Sequence, residues 1–593
     1  MTLPRRPQHY VARTVYLGVI WILGLTTWQA AVGWEQNATL GDIAQFSLRL
    51  FQITTMVQLI VLIFFASLSA ASSITTEKDR RTFVLLLMTR LTNVEIVVGK
   101  LLGSLLQIGL FLLGTLPILA LMLFMGGVAG FQIVQAAIVL FATALAAGSL
   151  GVLISLWRDR TFQALALTVL FLVLHLCFVF ALPYLMNLSG LFQSEVFTSE
   201  GLSTAQQWLD PIRAMQSVIE PDVNRVGLAP GYGFGLTMLG ISVVLNLLGI
   251  WKLRVWNPSG GPIMQREAPD AADEKTVERE KAHAAPGAVR EVWPNPILWR
   301  EMMTRAYGRR PLLVKAAYFL VVGLVVYYAV APIIEGQSFS RWSAAYGLVP
   351  LAILSLLLIT AQAVTSITTE RDMGALNLLL VTDLTPSEFI WGKLGGIVYN
   401  TKEYLIPPIA LAIFYAAYGM LAFPATPTRN IQAGVCVALA IAVLEVFVIV
   451  LGVHVALRAP TSRLAIGKAL GTVFFLSVGT LVCIYIIAIN GQFEYQWASF
   501  VFFLAAGIGG FWWVLSGNRP APALTLASIA CPLAIFYSVL NILIGNPKTQ
   551  GSADPFLPLI VTAGSFGFAI TAMLVPMLSE FDVAMGRTTG EAD

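Results

Sequence analysis

The chain has 593 residues, of which 57% are hydrophobic and only 11% are charged, and its net charge is +4. Soluble domains carry about 25% charged residues, so this composition excludes an ordinary soluble protein and indicates a membrane protein. The cysteines have no metal-ligand spacing, and we expect them to be small apolar packing residues. All of them lie inside apolar runs: Cys177, Cys436, Cys483 and Cys531.

Uncharged apolar stretches of about 20 residues recur along the chain and predict transmembrane helices. Six occur near residues 15–33, 50–72, 101–125, 131–157, 162–187 and 232–251. Eight more occur near residues 316–334, 343–367, 394–421, 431–457, 469–490, 497–517, 521–545 and 556–579. Each run is too uniformly apolar for a barrel strand, whose residues would alternate. The predicted fold is therefore all-α, with two parallel six-span units plus about two extra C-terminal spans, about 14 spans in all.

One strongly polar stretch, residues 257–292, separates the two series of spans and is rich in Pro and Gly at its start. This composition predicts a linker between a first half, residues 1–256, and a second half, residues 293–593. With a cytoplasmic N-terminus, 29 lysines and arginines fall on the inner side of the membrane and six on the outer side. The positive-inside rule then predicts that both termini and the linker are cytoplasmic. The acidic outer loop, residues 188–231, is expected to hold short interfacial helices.

An internal repeat relates the two halves. A shift of 293 residues lays residues 73–79 (SITTEKD) on residues 366–372 (SITTERD), and 16 of the 29 positions from 73 to 101 are identical. Chance does not produce this outside low-complexity sequence. Because six predicted spans separate the copies, both face the same side of the membrane. The halves are therefore predicted to be related by a pseudo-two-fold axis along the membrane normal.

The repeated segment contains two local signals. Thr92 with Glu95, and Thr385 with Glu388, fit capping boxes, so a helix is expected to begin at each and to become the third span of its half. Before the first box, apolar residues recur at helical spacing and predict a segment lying along the inner membrane surface, preceded by exposed charges. These residues are Val84, Leu87, Met88, Leu91 and Val94.

Two interpretations of the duplicated charges stay open. Any loop that re-enters the membrane needs charges to hold it on the inner side and a cap to restart the helix. Alternatively, a surface that is presented twice to a two-fold partner would explain directly why so many specific residues are repeated.

On these residues the sequence resembles the ABC-2 type transport permeases, especially the group of multi-copper enzyme maturation permeases. The shared pattern is Ser-Ile-Thr-Thr-Glu-(Lys/Arg)-Asp, a leucine-rich stretch, Leu-Thr-x-x-Glu and Gly-Lys-Leu. Residues 295–301 (NPILWRE) also resemble the amphipathic helix that precedes the first span in that family. The resemblance covers residues 5–256 and 293–490. The first half lacks most of that helix, and the second half has three apolar runs after its fifth span instead of one.

The resemblance implies two half-permeases fused in one chain, each with a cytoplasmic coupling helix that docks on a separate ATPase subunit. It implies a bacterial inner-membrane exporter of an unknown substrate that binds two copies of an ABC ATPase, with Mg-ATP held by those partners and no cofactor held by this chain. No nucleic-acid partner is predicted. The residues assigned to ATPase coupling are Glu77, Lys78, Asp79, Glu370, Arg371 and Asp372.

The chain lacks a nucleotide-binding loop, because no Gly-Lys pair has the required preceding Gly and following Ser or Thr. We therefore expect no enzymatic activity in this chain. His175 is predicted to be a packing residue, and Glu445 is the intramembrane polar candidate, expected to face the interior between the halves. A neutral, hydrogen-bonded packing role for Glu445 stays open. The alternative functions are a secondary transporter or channel, and a membrane anchor for a soluble partner.

Overall fold

The computed structural model is helical and, within the residues that it describes, contains no strand. This confirms the predicted all-α membrane fold, and nine of the described helical stretches are long and apolar enough to cross a membrane. The described residues are 7–33, 39–188, 199–221, 227–257, 293–303, 311–334, 341–380, 384–422, 427–490, 497–517, 520–544 and 555–579. Residues 258–292 of the predicted linker, and Cys483 as a side chain, lie outside this set.

In the described residues, the first half has six long helices and three short ones. In chain order they are α1 (Pro7–Ala31), α2 (Leu40–Asp79), α3 (Thr82–Leu87), α4 (Asn93–Met125), α5 (Gly130–Trp157), α6 (Thr161–Leu188), α7 (Ser199–Leu209), α8 (Pro211–Ile219) and α9 (Pro230–Trp256). The short helices α7 and α8 lie in the loop where short helices were expected.

The second half begins with a short helix and continues with long ones. In chain order they are α10 (Pro296–Met303), α11 (Pro311–Ile334), α12 (Arg341–Asp372), α13 (Ala375–Leu380), α14 (Pro386–Ala422), α15 (Pro427–Arg458), α16 (Ser462–Asn490), α17 (Trp497–Ser516), α18 (Pro522–Ile544) and α19 (Phe556–Ser579). Each of the predicted spans coincides with one long helix.

The same packing pattern occurs in both halves. Helix α2 packs on α1, α4, α5 and α6, and α12 packs on α11, α14, α15 and α16. Across the boundary between the halves, α6 packs on α11 and α12, while α16 packs on α1 and α2. The Phe64 and Phe474 rings stack there with centroids 4.3 Å apart. The two halves therefore exchange equivalent contacts, as a pseudo-two-fold arrangement requires.

The two additional helices of the second half are inserted and not appended. In the first half, the last helix α9 packs along α5 and α4; in the second half, α19 packs along α15 and α14. The last helix of the chain thus takes the place of α9. The extra pair is α17 and α18, which come before it, where the described residues of the first half form the short helices α7 and α8.

Two glycines let the second and fourth long helices of each half approach closely. A Cβ atom added at Gly151 would lie 2.4 Å from the carbonyl oxygen of Ser67, and one added at Gly452 would lie 2.5 Å from the Cβ of Ala363. Small residues at such crossings allow backbones in a membrane to pack by van der Waals contact. The close approach occurs once in each half, between α2 and α5 and between α12 and α15.

Candidate coupling site at the charged ends of the helices

The duplicated charged triplets lie at the ends of long helices. Helix α2 continues through Glu77 and Lys78 and ends at Asp79, and α12 continues to Asp372. After each end the chain turns sharply through a left-handed residue, Arg81 with φ 60° and Gly374 with φ 73°. The two turns occupy equivalent positions of the repeat. We call the end of the bundle that carries these turns the charged face.

The basic residue of each triplet holds the end of the fourth long helix of its half. Lys78 Nζ donates to the carbonyl oxygens of Leu156 at 2.7 Å and Arg158 at 3.0 Å. Arg371 Nη1 donates to the carbonyl oxygens of Ala456 at 3.1 Å and Ala459 at 2.6 Å. The last carbonyls of a helix have no intrahelical partner, and a cation there also opposes the negative end of the helix dipole. Both contacts stabilise the fold internally.

The glutamate of each triplet forms an ion pair with the lysine of the repeated Gly-Lys-Leu sequence. Glu77 pairs with Lys100 in the first half, and these side chains are 34% and 23% exposed. Glu370 pairs with Lys393 at 2.7 Å in the second half, where the lysine is only 1% exposed. The same pair is thus partly solvated in one half and buried in the other.

Helix α10 explains why the second pair is buried. Its Glu301 lies 2.7 Å from Lys393, and its Arg300 pairs with both Glu301 and Glu370. Burial raises the pKa of Glu301, but the charges and hydrogen bonds of Lys393 and Arg300 outweigh that effect and hold its pKa below the ordinary glutamate value. These four residues, Arg300, Glu301, Glu370 and Lys393, form what we call the α10 network.

The aspartates of the triplets lie where the two halves meet. Asp79 is buried and accepts a hydrogen bond from Thr161 Oγ1 at the start of α6. The Asp372 side chain is 6% exposed, and its Oδ1 lies 3.6 Å from Nε of Arg80 in the other half. Nearby, Nη1 of Arg160 lies 3.6 Å from the sulfur of Met373, also across the boundary. Arg80–Asp372 is therefore an ion pair between the halves.

The expectation that the triplet charges are exposed is therefore wrong, while their role in ATPase coupling stays a prediction. Their side chains are buried or half-buried, and Lys78 and Arg371 bind the ends of other helices of the same chain. The exposed residues follow the triplets. Helix α3 buries Phe83 and Leu87 and exposes Val84 and Leu85, with Met88 exposed just after it.

The caps that restart the next helices have the predicted geometry. The backbone N–H of Thr92 donates to Glu95 at 2.8 Å, and that of Thr385 donates to Glu388 at 3.0 Å. The threonine hydroxyls accept from the glutamate N–H groups in return. The backbone N–H of Thr385 and then its hydroxyl lower the pKa of Glu388. Helices α4 and α14 thus begin where the capping boxes indicate.

A comparison with known protein families gave a match within the first half of the chain. Residues 13–251 match the family model described as ABC-2 family transporter protein. The matched residues cover most of the first half of the chain. This supports a membrane permease component of an ABC transporter. Comparisons with curated proteins and with solved structures gave no significant match.

The matched residues include one triplet, its partner Lys100, helix α3 and the first capping box. The α10 network of the second half lies beyond it. Sequence reasoning quoted Arg300, Glu301 and Lys393 as parts of motifs but did not pair them. The available signal was that residues 295–301 and the Gly-Lys-Leu sequence each place charged residues just before or at the start of an apolar run.

The intramembrane candidate Glu445 is buried beside a residue of the second half, and its position facing the interior between the halves stays a prediction. It is 2% exposed, on α15, close enough to Tyr318 of α11 for an electrostatic interaction. The Tyr318 hydroxyl lies 2.9 Å from Ser355 Oγ of α12. His175 has the expected packing role, since its Nε2 lies 3.1 Å from the carbonyl oxygen of Leu209. Among the described residues no cluster of three or more potential metal ligands occurs.

Proposed function

We propose that this chain is a complete permease made of two fused half-permeases, which moves its substrate outward using ATP hydrolysed by two separate ATPase subunits. The observation that carries the proposal is the pair of equivalent turns at the charged face. In both halves a basic side chain binds the end of the fourth long helix, a glutamate–lysine pair holds the start of the third, and a short helix follows the turn.

In this proposal the triplets position the coupling helices and do not contact the ATPase. Lys78 and Arg371 tie the ends of α2 and α12 to the ends of α5 and α15, so a force applied to α3 or α13 is transmitted to long helices. The docking surface is then the exposed part of α3 and its neighbours, with Leu85 and Met88 as its apolar centre. The equivalent surface in the second half is α13 and its flanking residues.

In this proposal the contacts at the boundary between the halves are the ones that change during transport. A transport cycle that opens the charged face must separate α2 from α12, and this breaks the Arg80–Asp372 pair and the Arg160–Met373 contact. Arg80 is 47% exposed, so water can solvate its side chain when the pair opens, although Asp372 is only 6% exposed. A closed charged face is the state that the contacts favour.

Stoichiometry tests the proposal. The permease purified with its ATPase in detergent, and weighed by light scattering, is expected to contain one permease chain and two ATPase chains. A two-to-two complex, or the absence of any ATPase from complexes prepared from native membranes, would contradict it.

A pair of matched variants tests the docking surface. Leu85→Glu places a charge at the exposed apolar centre of α3 and is expected to reduce ATPase capture at least tenfold. Val255→Glu introduces the same charge at an exposed position at the end of α9 on the same face. It is expected to leave capture unchanged. Equal capture by both variants would exclude α3 as a docking helix.

One observation favours a second candidate, an ion-coupled secondary transporter. Glu445 is a buried carboxylate within a span, and its Oε1 has no hydrogen-bond partner among the described residues. Buried acids in spans often take part in ion coupling. Glu445→Gln would abolish transport under this candidate and would leave ATP-driven transport unchanged at every pH under the first.

A further inference from the structure

An apolar cleft opens at one of the two seams between the halves. It lies between α6 and α11 and has a volume of about 680 Å³. Phe171 follows the start of α6 by ten residues, roughly 15 Å along the helix axis, so the cleft lies within the membrane-spanning part of the bundle. Its lining consists of Phe171, Leu174, His175, Phe178, Leu320, Gly323 and Leu324.

The lining is almost entirely apolar. His175 is its one polar side chain, and the Nε2 of that ring already lies 3.1 Å from the carbonyl oxygen of Leu209. Aromatic and aliphatic side chains form the remaining wall. Transfer of an apolar chain onto such a surface is driven by dispersion contacts and close fit, as for helix packing in membranes.

The equivalent seam on the other side of the molecule has an additional helix packed on it. There α16 packs on α1, and the inserted helix α17 packs on both. Around these helices the repeat has a shift of 300 residues, since Arg158 and Thr161 before α6 match Arg458 and Thr461 before α16, so the counterpart of His175 is Phe475. A Cβ atom added at Gly507 of α17 would lie 3.1 Å from the Phe475 ring, so α17 approaches this position, although the Phe475 side chain stays 37% exposed. Among the described helices none takes that place at the α6–α11 seam.

We propose that the α6–α11 cleft binds one acyl chain of a membrane lipid, which fills the groove that α17 fills at the opposite seam. The cleft is continuous with the interface between the halves and opens within the bilayer, where acyl chains are the surrounding apolar molecules. Its wall on α6 runs from Phe171 to Phe178, roughly 10 Å of helix. A whole transmembrane helix needs about 30 Å, so the cleft suits part of a flexible chain better than a protein span.

The proposal goes beyond transport, because it rests on the geometry of the seam and holds whether or not the chain is a permease. It also predicts that the two seams differ in lipid binding, since α17 packs on α1 and α16 at the second seam. A lipid bound at one seam and not at the other gives the two halves different neighbours, although their helices pack alike.

Photolabelling tests it directly. The full chain is placed in nanodiscs that contain a small fraction of phosphatidylcholine with a diazirine in one acyl chain, irradiated, and mapped by peptide mass spectrometry. Label on residues 171–178 and 320–324 is expected several-fold above that on the exposed face of α9 around Leu236 and Val243. Labelling of the cleft at or below the α9 level would overturn the proposal without any variant.

A matched pair of glycine substitutions sharpens the test. A Cβ atom at Gly323 of α11 and one at Gly240 of α9 would each meet no atom within 4 Å, so both positions have room for a larger side chain. Gly323→Phe fills the cleft and is expected to reduce the label on residues 171–178 at least fivefold, while Gly240→Phe leaves it unchanged. An unchanged label in Gly323→Phe, or crosslinking of the cleft to another polypeptide in place of lipid, would refute an acyl-chain site.

Discussion

The repeat provides an internal control for the energetic value of one ion pair. Lys100 and Lys393 occupy the same position of the repeat, and each pairs with the glutamate of its triplet. Lys393 is 1% exposed and also pairs with Glu301, whereas Lys100 is 23% exposed. The same substitution, Lys→Met, therefore removes a buried charge in one half and a partly solvated charge in the other.

The structure gives different magnitudes for the two variants. Removing one partner of a buried ion pair costs about 3–5 kcal/mol, because the remaining charge stays buried. Lys393→Met leaves Glu301 and Glu370 with Arg300 alone, which still pairs with both, so we expect the lower end, about 3 kcal/mol. Lys100→Met exposes Glu77 to water and should cost at most about 1 kcal/mol.

The measurement is the free energy of unfolding in mixed detergent micelles, followed by tryptophan fluorescence. The double variant Lys393→Met with Glu301→Gln is expected to recover part of the loss, because it removes one of the carboxylates left without its lysine. Losses for Lys393→Met and Lys100→Met that agree within about 0.5 kcal/mol would refute the assignment of Lys393 to a buried network.

Three further predictions follow from the same structure. The pKa of Glu301 is lowered in the folded chain, so its carboxylate stabilises the fold above the ordinary glutamate pKa of about 4.3, and this stabilisation is lost as the pH falls through the lower folded pKa. The stability difference between wild type and Glu301→Gln should therefore shrink below about pH 4. A difference independent of pH would contradict this. Gly452→Ala should destabilise the fold by about 1–3 kcal/mol, because the added methyl group is overpacked against α12. Gly467→Ala meets no atom within 4 Å and should leave the stability unchanged or raise it by up to about 1 kcal/mol. Chemical unfolding of both variants checks the opposite signs. An impermeant thiol reagent added to intact cells should label Ser199→Cys and spare Ser259→Cys, a position in the predicted cytoplasmic linker outside the described residues, and the reverse pattern would invert the topology.

The sequence determined the elements that depend on local chemistry. Uniform apolar runs located the long helices, since a backbone in lipid must satisfy its own hydrogen bonds. The Thr-x-x-Glu boxes located the starts of α4 and α14, because a cap needs only residues three apart. The shift of 293 residues indicated that the two triplets perform the same role, and the pairs Glu77–Lys100 and Glu370–Lys393 agree with this.

Only the tertiary structure decided which way the repeated charges point. Charged residues next to a membrane span are expected to be solvated. Lys78 and Arg371 are not, because they donate to carbonyl oxygens at the ends of α5 and α15, about 80 residues further along the chain. No local pattern encodes that meeting. The same reason applies to α19, whose position in place of α9 depends on packing against α15 and is invisible in a run of apolar residues. Local sequence sets where a helix begins and ends, while the neighbours that pair its charges are set by how the helices pack.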